Sequence, residues 1–397
     1  MMKKKIFILG HWMRIDGVAT SLLGLLKELD YSKVDVDLML MSAEGELLEE
    51  LPRQVNLLNT HPSVVNYWSD KPTDGKRSLL AVLLKKGALL IAGVWYRIFR
   101  RMKIDPYGMH LIKGLLFNMY LPKRIVDKEY DLALFFSCEP FLVGRVGACK
   151  SAVWVHTDWG SFNPITFLVN ISFGRADYIV NVSSAAKKSF DRYLNDRNKG
   201  KSIVIENIIS PRWVMDKSLH GYVVESTALK ILSVGRVTPH KNYFRALEAA
   251  KILAERGVDF VWYIVGGGES FDALEAAAKL SGLSDRFKLL GPQQNPYPYY
   301  KWCDIVVCTS DFEGKSVSVR EAQMFAKPVV VTKFPTAASQ VEDGIDGILV
   351  ERTPQAVADG VALLMHDSVL RKRLSANCKS RDYANLGEID KILSLMK

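Results

Sequence analysis

Four charged side chains in the C-terminal half of the sequence lie where a short apolar run gives way to a loop. Arg236 and Lys241 occur in Leu232-Ser-Val-Gly-Arg-Val-Thr-Pro-His-Lys-Asn, and Glu313 and Glu321 in Ser310-Asp-Phe-Glu-Gly-Lys-Ser-Val-Ser-Val-Arg-Glu. In an open α/β sheet the loops after the strand C-termini face the ligand crevice, so two cations there can hold a diphosphate. Glu313 and Glu321 bracket the second loop and can accept hydrogen bonds from sugar hydroxyls. The backbone N–H groups of Lys315, Ser316 and Val317, near the start of a helix, are suited to phosphate oxygens. A structural alternative stays open, because Ser318-Val-Arg-Glu321 also fits a capping box in which Glu321 serves its own helix.

Other patterns carry less chemistry. Val265-Gly-Gly-Gly-Glu lacks the GxGxxG spacing and an acidic partner about 20 residues on, so it reads as a tight turn rather than a dinucleotide site. Asp35-Val-Asp37 imitates a metal-binding DxD, but it stands at the start of a strand and reads as structural. The five cysteines, Cys138, Cys149, Cys303, Cys308 and Cys378, have no CxxC spacing and fall in runs that read as core or helix. They suit a reducing compartment and offer no metal site.

The elements that must position these residues follow from periodicity. Short apolar runs at Ile6–Leu9, Val36–Met41, Leu132–Phe136, Ala152–His156 and Tyr178–Val182 alternate with helical patterns, beginning with Ala19–Leu29. After Pro211 the rhythm restarts with Lys230–Val234, a helix over 243–256, Phe260–Val265, a helix around Phe271–Leu280, Phe287–Leu290, Ile305–Cys308 and Pro328–Thr332. Such alternation predicts parallel βαβ units, and two sets predict two doubly wound domains. The expected division is 1–210 and 211–379, with a C-terminal helix over 380–397 rejoining the first domain. The apolar run after Lys3-Lys4-Lys5 is cut short by His11, Arg14 and Asp16, so it reads as a buried strand rather than a signal peptide.

With 397 residues, 48% of them apolar, the chain can bury two cores, which excludes disordered and disulfide-scaffold classes. The net charge of +10 is concentrated: residues 71–124 hold 12 basic and 2 acidic side chains, and the rest of the chain is balanced. A local cationic patch implies a local anionic partner. A helix over Leu79–Lys103 would be amphipathic, with Lys85 and Lys86 arguing against a transmembrane span, and an apolar-basic stretch His110–Pro122 follows. This segment is expected to lie on an anionic membrane surface.

Glu313-x7-Glu321, with Gly314 after the first glutamate and Ala322 after the second, resembles the motif of the family 4 retaining glycosyltransferases (glycosyl transferases group 1). The flanks resemble it in the same order: Gly235-Arg236 with Lys241, then Gly291, then Gln340-Val-Glu-Asp-Gly-Ile-Asp-Gly. The first domain resembles it through Gly17-Val, His156 and Ala176-Asp-Tyr-Ile-Val-Asn-Val-Ser.

The resemblance implies an α/β GT-B fold, two Rossmann-like doubly wound domains facing a central cleft. It implies that Arg236 and Lys241 bind the donor diphosphate, Glu321 the ribose and Glu313 the transferred sugar. Gly235, Gly314, Lys315, Ser316 and Val317 would lie against the donor, Pro292 and Gln293 would border the base, His156 would lie by the sugar, and Gly17 would let the first loop approach. Asp16 before Gly17, and Lys315-Ser316 after Gly314, depart from the usual glycines and aromatic-glycine pair. The implied reaction is a metal-independent, cofactor-free hexosyl transfer with retention. It would run from a UDP-sugar to a lipid-linked or oligosaccharide acceptor in bacterial capsule, exopolysaccharide or lipopolysaccharide assembly. The implied place is the cytoplasm, peripheral on the inner face of the cell membrane. A nucleotide-sugar epimerase of the same fold and a non-catalytic glycosyltransferase-like membrane subunit are the alternatives. Nucleic-acid binding is not expected, since the basic segment lacks the patterns of RNA modules or metal fingers.

Overall fold

A computed structural model of the chain describes residues 2–61, 64, 106–119, 121–137, 139–160, 162–221 and 228–397. The expected helix Leu79–Lys103 and Cys138 lie outside the described residues. The chain divides into two compact units, Met1–Glu206 with Gly387–Lys397, and Asn207–Leu386. The C-terminal helix Glu388–Ser394 belongs to the first unit, where the Glu388 carboxylate accepts a 3.1 Å hydrogen bond from the Glu206 N–H.

In the first unit, described strands β1 (Lys4–Gly10), β2 (Val34–Leu40), β3 (Val55–Leu58), β4 (Val126–Phe135), β5 (Val146–Val155), β6 (Tyr178–Asn181) and β7 (Ser202–Val204) form one parallel sheet. Its order is β3-β2-β1-β4-β5-β6-β7. In the second, β8 (Leu229–Val234), β9 (Phe260–Val265), β10 (Phe287–Leu289), β11 (Ile305–Cys308), β12 (Val329–Thr332) and β13 (Ile348–Val350) are ordered β10-β9-β8-β11-β12-β13. Chain direction through each sheet reverses once, between β1 and β4 and between β8 and β11. Those two positions are the topological switch points, where an open parallel sheet leaves a crevice beyond its strand ends.

Parallel strands covered on both faces read as unbroken apolar runs: β9, β11 and β12 bury nearly every side chain, as does β1 from Ile6 onward. A buried polar pair links strands in the second unit. The Trp262 indole N–H donates to Ser233 Oγ at 3.0 Å, and that hydroxyl donates to the Val307 carbonyl at 2.7 Å, stitching three central strands together. In the first unit the buried Trp159 ring meets Phe173 and Phe190 edge-on.

Strands β3, β7 and β13 were not expected. They have three or four residues, lie at or next to sheet edges, and carry half-exposed side chains, so no apolar run marks them. The N-terminal halves of β4 and β5 are likewise exposed, which hid half of each strand. The expected His110–Pro122 stretch is a helix shifted toward the N-terminus, Pro106–Asn118. Cys303, Cys308 and Cys378 are buried, but Cys149 is exposed, correcting its reading as core: it lies in the solvent-facing first half of β5.

Candidate active site at a switch point

The loop after β8 and the loop after β11 leave adjacent central strands, and this is where the second unit brings its charged candidates together. Gly235 has φ +150°, a conformation that side chains rarely adopt, and a Cβ there would come within 3.1 Å of the Tyr243 hydroxyl and 3.3 Å of Lys241 Cε. The chain then runs through Arg236 to Asn242, whose left-handed backbone and side-chain bond to the Arg245 N–H start the helix Tyr243–Glu255. Across from it, Lys241 Nζ lies 2.6 Å from Glu313 Oε1, and the Ser310 hydroxyl donates to the same oxygen at 2.7 Å. The two ion-paired side chains keep 16% and 13% of their exposure. Burial alone would push the Glu313 carboxyl up, but the charge and hydrogen bond of Lys241, helped by Ser310 and His240, hold it below its ordinary value. Burial would correspondingly lower Lys241, yet Glu313 raises it, so both remain charged.

A second pair fixes the two loops to each other. Arg245 donates to the Thr309 carbonyl and to Asp311 Oδ1, each at 2.7 Å, while Asn242 donates to Asp311 Oδ2 at 3.1 Å. Arg236, in contrast, is exposed, and its guanidinium has no ion pair among the described residues. The loop after β8 thus presents Arg236, without an ion pair, beside the Lys241–Glu313 pair.

Glu321 is buried and accepts from the hydroxyls of Tyr297 at 3.0 Å and Tyr300 at 2.9 Å. Burial raises its pKa to about 7, against the opposing pull of the two tyrosines. The capping-box alternative does not form: the N-cap of the helix Val317–Met324 is Ser316, with no side-chain cap bond, and Glu321 faces the tyrosines. The Ser316 N–H, expected to be open to phosphate, is donated at 3.0 Å to Gln340 Oε1, and Gln340 Nε2 donates back to the Ser316 carbonyl. That corrects the reading of Ser316 as a backbone ligand, since a side chain 24 residues on already satisfies it. Gly314, Lys315 and Ser316 are buried, and Val317 is half-buried. The Glu313 carbonyl accepts from Thr336 Oγ1 at 2.8 Å, which anchors the same loop from a second element.

Val265-Gly-Gly-Gly proves to be a place of backbone contact. A Cβ on Gly266 would sit 1.9 Å from the Gly235 carbonyl oxygen, and one on Gly268 would sit 2.4 Å from that of Val237. Pro292 packs beside Gly267, and Gln293 donates to the Leu290 carbonyl at 2.7 Å.

In the first unit, Asp16 caps the helix Gly17–Glu28 by accepting from the N–H groups of Val18 and Ala19, both at 2.9 Å, and it accepts the Trp12 indole N–H at 2.6 Å. The aspartate before Gly17 is therefore a cap that orders the exposed Gly17 loop. His156 follows β5 and donates from Nε2 to the Phe136 carbonyl at 2.8 Å, because a carbonyl can only accept. Burial lowers its pKa to about 4, leaving a neutral ring with Nδ1 as acceptor. Asp37 accepts from Asn56, Tyr130 and Lys128, an interstrand role that accounts for the DxD-like pattern.

Sequence reasoning missed Ser310, Asp311, Arg245, Gln340, Tyr297 and Tyr300. Gln340 belongs to the quoted flank, but nothing local links it to Ser316. The two tyrosines had a weak signal in their i, i+3 spacing, which places both on one face of the helix Tyr297–Trp302.

Two doubly wound parallel units, one with paired cations and carboxylates at its switch point, define the GT-B class of fold. Comparison with known proteins agrees. The family model described as "Glycosyl transferases group 1" matches residues 218–381. The UDP-Gal:alpha-D-GlcNAc-diphosphoundecaprenol alpha-1,3-galactosyltransferase of Escherichia coli is 30% identical over 318 residues, covering 72% of this chain and 80% of that protein. The N-acetylgalactosamine-N,N'-diacetylbacillosaminyl-diphospho-undecaprenol 4-alpha-N-acetylgalactosaminyltransferase of Campylobacter jejuni is 29% identical over 228 residues, 56% of this chain and 60% of its own length. Among solved structures, HepE of Anabaena in complex with UDP superposes with a TM-score of 0.67 at 18% identity, covering 99% of this chain and 100% of that one. WaaG, described as a glycosyltransferase involved in lipopolysaccharide biosynthesis, gives 0.65 at 12% identity, with 99% of each chain covered. The chain belongs to the glycosyl transferases group 1 family.

Proposed function

We propose that the protein is a retaining, metal-independent glycosyltransferase of family 4 that moves a sugar from a UDP-sugar to a hydroxyl of a lipid-linked saccharide. The observation that carries this reading is the cluster at the β8–β11 switch point, where Glu313 holds both Lys241 and Ser310 beside the exposed Arg236. As the glycosidic bond breaks, negative charge grows on the departing diphosphate, and Arg236 and Lys241 supply the fixed positive charge that would stabilise it. Glu313 holds Lys241 in place and has a second oxygen to offer a sugar hydroxyl. Glu321, which burial brings to the edge of ionisation against the pull of the two tyrosines, accepts from the ribose. His156, neutral with Nδ1 as acceptor, receives a sugar hydroxyl and does not act as a proton donor near pH 7. The departing phosphate oxygen helps take the acceptor proton, so no covalent protein nucleophile is needed.

Several observations support the donor and the acceptor. One relative's name specifies a UDP-Gal donor, and the names of both relatives specify undecaprenyl diphosphate-linked acceptors. A solved neighbour contains UDP. The 12 basic residues of 71–124 suit an anionic membrane surface from the cytoplasmic side, as in capsule, exopolysaccharide or lipopolysaccharide assembly. Among the described residues no helix is long and apolar enough to cross a membrane. The test is a panel of UDP-, GDP- and ADP-sugars assayed for slow hydrolysis and then for transfer to a polyprenyl diphosphate-linked sugar, with and without chelator. NMR of the product reads the anomeric configuration. Transfer with retention, unaffected by chelator, is expected. Epimerised donor without acceptor, or no turnover of any donor, would refute the reading.

A further inference from the structure

The charges at the β8–β11 switch point do not add up to what a nucleotide sugar needs. Lys241 is paired with Glu313 at 2.6 Å and Arg245 with Asp311 at 2.7 Å, so on the loop between β8 and the helix Tyr243–Glu255 Arg236 is the cation without an ion pair among the described residues. A diphosphate diester carries two negative charges. Between Arg236 and Lys241 the same loop carries His240, whose ring stacks on Phe312 from the opposite loop at 5.2 Å between centroids and 29° between planes. Its Nδ1 is 3.0 Å from Thr238 Oγ1, which fixes the ring on one side, and among the described residues nothing is hydrogen-bonded to Nε2.

We propose that His240 is a further ligand of the donor diphosphate and takes up a proton when the diphosphate binds, supplying the second positive charge. The inference rests on the donor-site reading above. In the unliganded site, burial first, and then the positive charges of Lys241 and Arg236 on its own loop, hold the imidazole below its ordinary pKa; Glu313 and Asp311 on the facing loop pull the other way. Without ligand the ring is therefore neutral near pH 7 and adds no repulsion to the two cations beside it. Two phosphate charges against this loop reverse the balance and favour the imidazolium. By linkage, each unit by which the bound-state pKa exceeds the free-state pKa tightens binding about tenfold at low pH. That gain is present below the free-state pKa and is lost as pH rises through the bound-state value.

The experiment is titration calorimetry of the full chain with UDP, GDP and ADP at pH 7, in buffers of different ionisation enthalpy, which reads protons exchanged per ligand bound. The ligand that binds tightest is then compared between wild type and His240→Gln. Glu321 and the terminal phosphate of the ligand titrate in both proteins, so the difference isolates the imidazole. The expected result is an uptake larger in wild type by more than about half a proton, with His240→Gln still binding. Equal proton counts in the two proteins would overturn the inference and leave the donor site standing. If none of the three nucleoside diphosphates binds wild type, the donor-site reading fails and the inference with it. Should His240→Gln fold poorly, Cε1-labelled histidine NMR of wild type decides: one imidazole pKa must rise by about a unit or more on adding ligand, and it must be the resonance missing from His240→Asn.

Discussion

Replacing Lys241 and replacing Arg236 should cost the same catalysis and different amounts of stability, because Lys241 is held by a mostly buried partner and Arg236 is exposed. Losing one preorganised group that stabilises the leaving charge typically costs about a hundred- to a thousandfold in rate, so both Arg236→Ala and Lys241→Met should lose that much transfer. Lys241→Met also leaves the Glu313 carboxylate inside with the Ser310 hydroxyl as its remaining described side-chain donor. Removing one partner of a fully buried pair costs about 3–5 kcal/mol. The residual 16% and 13% exposure and the Ser310 bond reduce that to roughly 2 kcal/mol. For a unit the size of Asn207–Leu386 this lowers Tm by about 4–8 °C, whereas Arg236→Ala should stay within about 2 °C. Adding Glu313→Gln to Lys241→Met removes the stranded charge and should recover about 1 kcal/mol or more without restoring transfer. Calorimetric melting of the four proteins, with donor turnover measured in parallel, checks both halves. A Lys241→Met protein that melts with wild type and gains nothing from Glu313→Gln would refute the energetic role of the pair, and near-normal transfer by Arg236→Ala and Lys241→Met would refute the site.

Two further outcomes are expected. Glu321 has a folded pKa near 7 against an ordinary value of 4.5, so the unfolded chain releases its proton first as pH rises. Stability should therefore fall between about pH 4.5 and 7, by on the order of 3 kcal/mol, and then level off. Urea unfolding at pH 5 and pH 8 should show this drop in wild type and lose it in Glu321→Gln; an undiminished drop in the variant would place its cause elsewhere. Gly266→Ala puts a Cβ 1.9 Å from the Gly235 carbonyl and should destabilise by about 3 kcal/mol or more, while Gly291→Ala, at φ +69° with nothing within 4 Å, should cost only backbone strain of about 1–2 kcal/mol. Equal melting temperatures for the two variants would contradict the close approach of the β8 and β9 loops.

The local chemistry of this protein is legible in its sequence. Strands such as Phe260–Val265 and Ile305–Cys308 stand at their expected bounds, because a strand buried on both faces must be an unbroken apolar run. Arg236, Lys241, Glu313 and Glu321 could be picked out because each lies in or just beyond a loop that follows such a run. Short edge strands such as Ser202–Val204 were hidden, since half-exposed side chains leave no such run. The partners were hidden too. Lys241 meets Glu313 across 72 residues because β8 pairs with β11 and not with β10, and strand order is a property of the whole sheet. Gln340 satisfies Ser316 and two tyrosines hold Glu321 for the same reason. Periodicity reports which face of an element is buried; only packing decides what it is buried against, and so which charges are left to meet a ligand.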